Sequence, residues 1–171
     1  MAKNKITEQF KKSKFEEVLK KVNVLDKFTD KKEEPQKKKK VLLFKAEVLI
    51  RDSKFPAALK VLDEVLGLDA NDIAANYQKG LCLFVLRRNK EGLSYVDAAI
   101  EENQKLGNPE NFNFVILKAG ILYGLGVEGK MSKNAYRLWL EKAKEIDLVR
   151  AEKFMKNNFK EYKETVDMLK R

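Results

Sequence analysis

Apolar residues recur along this chain by threes and fours, the spacing that lines one face of an α-helix. From Phe55 onward they fall at Ala58, Leu59, Leu62, Val65 and Leu66. From Lys90 onward they fall at Leu93, Val96, Ala99 and Ile100, with the same rhythm. Similar runs cover Val41 to Ile50 and Ile73 to Leu86. The pattern predicts helices over 4–12, 14–28, 36–51, 55–67, 72–87, 90–106, 111–125, 133–146 and 149–170. Stop signals agree with it. Gly67-Leu68-Asp69-Ala70-Asn71-Asp72 ends one helix and starts another, with Asn71 or Asp72 able to accept the first free N–H groups. Leu106-Gly107-Asn108-Pro109 places glycine just beyond a helix and proline soon after.

The pattern also repeats. Ser13-Lys14-Phe15-Glu16-Glu17-Val18-Leu19-Lys20 and Ser53-Lys54-Phe55-Pro56-Ala57-Ala58-Leu59-Lys60 share five of eight residues at a separation of 40 positions. A weaker copy, Arg87 to Ser94, follows 34 positions after the second. The six extra residues of the first interval fit the polar run Lys31 to Gln36, which contains Pro35 and reads as a longer loop over 29–36. A period of ~34 residues with two helices in each unit is the mark of a stacked helical array.

Composition narrows the chemistry. The chain has 171 residues, 44% of them hydrophobic and 36% charged, which suits a real core beneath long solvated helix faces. No apolar stretch is long enough for a membrane span. The N-terminus has no apolar run behind its first lysines, so no secretory signal is expected. Cys82 has no cysteine partner, which points to a reducing compartment. There is no histidine, so the usual general base and the commonest metal ligand are missing, and Cys/His zinc sites are excluded. The chain has no phosphate-binding glycine loop and no nucleophile elbow. Gly124 to Gly129 is read as the hinge of a helical hairpin. The expectation is a binding scaffold without cofactor or metal, not an enzyme, in the cytoplasm or nucleus.

The net charge of +10 is unevenly spread. Residues 1–45 hold 15 Lys/Arg and 7 Asp/Glu, residues 46–128 hold 9 and 12, and residues 129–171 hold 12 and 7. Basic ends attract nucleic acid, anionic lipid or acidic proteins. The run Lys37, Lys38, Lys39 and Lys40 is the densest basic patch and has the look of a nuclear import or phosphate-contact signal. At the opening of a helix such a run is more often an ordinary solvated face.

These residues resemble the tetratricopeptide repeat family. Its small first-helix position falls on Ala46, Gly80 and Gly120, where the two helices of a hairpin cross closely. Its small second-helix positions fall on Ala58 and Val65, then Gly92 and Ala99, then near Ala135 and Ala143. Leu117 to Val127 with Leu138 to Ala143 resembles the Sel-like variant. The family's first-helix tryptophan is replaced by Leu42, Asn76 and Ile116, and its closing proline by Ala70 and Gln104. The resemblance implies an all-α solenoid of antiparallel helix hairpins over 1–147, followed by a capping or projecting helix over 148–171.

It also implies a concave groove lined by first helices. By phase that groove holds Lys40, Leu43, Phe44, Glu47 and Arg51, then Ala74, Tyr77, Gln78, Leu81 and Val85, then Phe114, Leu117, Lys118 and Ile121. So apolar a lining suits a peptide or helix of a partner protein, although Phe44, Leu81 and Phe114 would serve equally well as core. The family's chaperone-tail adaptors use lysine, asparagine and arginine at places that here hold Leu43, Glu47, Gln78, Phe114 and Lys118. Only Lys118 has a suitable charge, so that role is not expected. The competing expectations are a basic RNA- or ribonucleoprotein-associated scaffold and a structural subunit of a larger assembly. The near-heptad spacing of Leu148, Met155, Phe159, Tyr162, Val166 and Leu169 would allow an oligomer through the last helix.

Overall fold

The computed structural model describes residues 15–24, 35–129 and 135–158. Among the described residues there are eight helical segments and no strand. Residues 15–24 form α1. Then follow α2 (Pro35–Arg51), α3 (Phe55–Leu68), α4 (Ile73–Val85), α5 (Asn89–Lys105), α6 (Phe112–Val127), α7 (Ala135–Ile146) and α8 (Leu148–Asn158). The expected helix over 4–12, most of the 29–36 loop and the end of the last helix lie outside the described residues.

Sequential helices pair as antiparallel hairpins, α2 with α3, α4 with α5 and α6 with α7. A second set of contacts joins α2 to α4, α4 to α6 and α6 to α8. No comparable contact joins α3 to α5 or α5 to α7. The layer whose members lie closer together is the inner, concave one. The inner layer is therefore α2, α4, α6 and α8, and the outer layer is α3, α5 and α7.

The hairpins close where side chains are small. A Cβ on Gly92 would stand 3.2 Å from the Gly80 carbonyl oxygen, so α4 and α5 cross almost backbone to backbone. Ala46, Ala58, Val65 and Ala99 are fully buried at the other expected small positions. Gly120 departs from the expectation. Its open side receives the ring tips of Phe84 from α4 and Phe154 from α8, each 3.1 Å from where a Cβ would sit. It makes room for inner-layer neighbours, not for a close crossing with its hairpin partner.

Caps follow the local chemistry. Asp72 is the N-cap of α4 and accepts the Ala75 N–H at 2.9 Å. Asn111 caps α6 by accepting the Asn113 N–H. At the other ends the chain turns through the left-handed region at Ser53, Arg87, Gly107 and Gly129. At Ser53 and Arg87 the next N–H bonds back to Leu49 and Leu83, closing the helix end.

Helix α3 ends at Leu68, one residue beyond the expected 55–67. One expectation is corrected. Gly124 and Gly126 lie inside α6, so of the expected hinge Gly124 to Gly129 only the last residue takes a left-handed φ. Gly124 is needed in the helix because the Asn89 side-chain nitrogen packs 2.6 Å from where its Cβ would be. Buried Asn89 in turn donates to Glu128 at 2.6 Å, tying the start of α5 to the end of α6.

Helix α6 is the centre of the molecule. Eleven of its 16 residues are buried, against five of 14 in α3 and five of 13 in α4. It is apolar at most positions, as a helix packed between several neighbours must be.

Candidate functional site

The inner face begins on α2. Leu42, Ala46 and Leu49 are buried in one core cluster with α3 residues. Phe44 is two residues from both Leu42 and Ala46, which points it the other way. It is 49% exposed. Lys40 and Arg51 share its side of the helix and are exposed, with half-buried Glu47 beside them. Arg51 pairs with Glu47 at 2.6 Å across one turn. Leu43 sits at the edge of this face and packs partly into the core.

The four-lysine run is not one uniform patch. Lys39 reaches the turn between α3 and α4, where its ammonium lies 2.7 Å from Asp69 and 2.9 Å from Asp72. The hydrogen bond to Asp69 raises the Lys39 pKa, and the same bond lowers that of Asp69. Lys37 and Lys38 also make polar contacts, and Lys40 is exposed. The run therefore fastens one repeat to the next at Lys39 and leaves Lys40 on the inner face.

On α4 the inner face shows Ala74 and Val85, the latter 44% exposed. Gln78 is half-buried, and its Oε1 has no hydrogen-bond partner among the described residues. Leu81 packs partly against the cluster of Val96, Leu117, Ile121 and Leu125. Tyr77 lies on the side towards α6, its ring 5.0 Å from that of Phe114. Burial raises the Tyr77 hydroxyl pKa, and the charge of Arg150 on α8 opposes the rise.

The third part of the expected groove is different. Phe114, Leu117 and Ile121 are buried. Lys118 turns to the outer layer, pairing with Asp97 of α5 at 2.6 Å and lying 3.9 Å from the Trp139 ring centroid of α7. Lys79 makes the same kind of bridge one repeat earlier, to Asp63 of α3 and the Tyr95 ring of α5. Burial alone would lower the Lys79 pKa, but its bonds to Asp63 and Tyr95 outweigh that and hold it raised. These two lysines join outer helices across an inner one.

The structure thus brings Tyr77 and Phe114 together and leaves Phe44, Glu47, Arg51 and Val85 around an open surface. It takes Leu117 and Lys118 off that surface. Arg150 is not among the residues expected from the sequence, which reads its helix as capping or projecting. Its guanidinium donates to the Asn113 side chain at 2.9 Å and lies 4.2 Å from the Phe112 ring centroid. Cys82 is fully buried and its thiol pKa is pushed up to about 11, so it is no nucleophile at neutral pH. Among the described residues no Cys/Asp/Glu group has metal-ligand spacing, and no helix is long and apolar enough to cross a membrane.

Comparison with known proteins places this geometry. Residues 18–99 match the family model described as anaphase-promoting complex, cyclosome, subunit 3, a family of tetratricopeptide type. Over that span the chain is similar to tetratricopeptide-type repeats. The solved structure titled "MamA RS-1 ArsTM double mutant" is similar at TM-score 0.64 and 17% identity, over 98% of this chain and 93% of that one. That likeness extends the helical-solenoid fold beyond the matched repeats. The search of curated proteins gave no match.

Proposed function

We propose that the protein is a protein-interaction scaffold that holds a peptide or helix of a partner on the inner face of α2 and α4. One observation carries this reading. Phe44, a large aromatic residue, is 49% exposed on the inner layer of a solenoid, and the neighbouring inner helix also leaves an aliphatic residue, Val85, exposed. A ring in that position gains little for the fold and offers a large, stiff anchor to a partner. Of the expected groove residues, Leu43, Glu47 and Arg51 lie on the same helix as Phe44, and Gln78 and Leu81 lie on the neighbouring one. Phe114 and Tyr77 stiffen the far wall of the groove. The absence of a lysine, asparagine and arginine set at the matching places still argues against a chaperone-tail adaptor.

The test is binding by a Phe44→Ala variant. Its circular dichroism and melting should match wild type, while affinity for partners recovered from source cells falls at least about tenfold, the loss expected for a buried interface anchor. Unchanged affinity would reject the groove.

A further inference from the structure

Charge in this molecule is sorted by layer, which is not apparent along the sequence. The inner helices α2, α4, α6 and α8 carry eleven Lys/Arg and two Asp/Glu. The outer helices α3, α5 and α7 carry six and eight. Part of the inner charge is engaged within the fold, since Lys39, Lys79 and Lys118 all bond to aspartates of α3, α5 or the turn after α3. Lys37, Lys38 and Lys45 are engaged as well. Lys40 is exposed one turn before Phe44, and Arg150 is exposed on α8. The nearest acid to the Arg150 guanidinium is Asp147, at 3.8 Å. Glu47 offsets Arg51.

From this we infer that the segment held on the inner face is acidic, with an aliphatic or aromatic side chain that seats against Phe44. This deepens the groove reading and rests on it. Complementary charge around an apolar anchor sets which partner docks and how fast it arrives. The aromatic content favours a polypeptide over single-stranded nucleic acid. Base stacking needs several open rings beside basic residues. Here Tyr77 packs on Phe114, while Phe84 and Phe154 meet over Gly120. Phe44 alone among the described aromatic residues is strongly exposed.

The experiment is selection from a random displayed-peptide library on the full chain, followed by fluorescence anisotropy with the enriched peptides. The expected peptides are rich in Asp/Glu around one Leu, Ile or Phe. Phe44→Ala should weaken them at least about tenfold and Lys40→Glu about fivefold, with steeper loss as salt rises. Changing one acidic residue of the peptide to lysine should restore part of the affinity for Lys40→Glu. Neutral or basic peptides that still depend on Phe44 would overturn the acidic partner and leave the groove standing. Peptides indifferent to Phe44→Ala, or no enrichment at all, would overturn both. A single-stranded oligouridylate that displaces the peptides with the same dependence on Lys40 and Phe44 would replace the protein partner with nucleic acid.

Discussion

The inner face has two halves built from the same repeat. Over α2 and α4 it is open, with Phe44 and Val85 at the surface. Over α6 the molecule fills it with its own side chains, as Phe84 and Phe154 close over Gly120 and Tyr77 packs on Phe114. Side chains, not the number of neighbours, explain the difference. Both α4 and α6 have inner-layer helices on two sides and outer helices behind them, but α6 is apolar at most positions and takes the Phe84 and Phe154 rings against Gly120, whereas α4 leaves Ala74 and Val85 exposed. An equivalent residue is therefore surface in one repeat and core in the next, so family phase alone does not fix its role.

The comparison can be broken most strongly at Ile121, fully buried in α6. Ile121→Ala should cost about 3 kcal/mol, read as a fall in the urea midpoint, because the enclosed site cannot collapse on the cavity. A loss under about 1 kcal/mol would mean α6 is not the centre of the core. Next is Gly120→Leu, which pushes a side chain into the Phe84 and Phe154 rings. Overpacking there should cost about 2 kcal/mol by the same measurement.

Smaller effects sharpen the account of the first half. Asp72→Ala removes the cap of α4 and should cost about 1 kcal/mol in thermal or urea unfolding. Asp69 has its pKa lowered in the fold by its bond to Lys39. Its contribution is therefore present above the ordinary aspartate range and is lost as pH falls through the lowered value. Because Asp69 is substantially exposed, the effect is small. Asp69→Asn should slightly flatten the acid limb of a melting-temperature profile. Gly67→Ala has open space around the new methyl and replaces an exposed helix glycine. It should raise stability by about 0.5–1 kcal/mol.

Much of the fold was legible because the apolar rhythm and the caps are local. Asp72 was readable as an N-cap, and Gly107 as a stop, from a few residues each. The inner face was legible only in part. Phase placed Phe44 and Tyr77 on it, but it could not tell that Lys118 turns to Asp97 and Trp139. That choice depends on which outer helices flank α6. The contacts of Arg150 with α6 and the seating of Phe154 against Gly120 depend on α8 lying beside α6, a contact that no local pattern reports. The packing of Asn89 against Gly124 was likewise hidden, because the two lie 35 positions apart.

The central claim is that one half of the inner face is open and the other is filled. It is tested most directly by urea unfolding of Phe44→Ala and Phe154→Ala side by side. Phe44→Ala should stay within about 0.5 kcal/mol of wild type, as exposed substitutions do. Phe154→Ala should lose about 2 kcal/mol or more. Equal losses, or a larger loss at Phe44, would contradict the account.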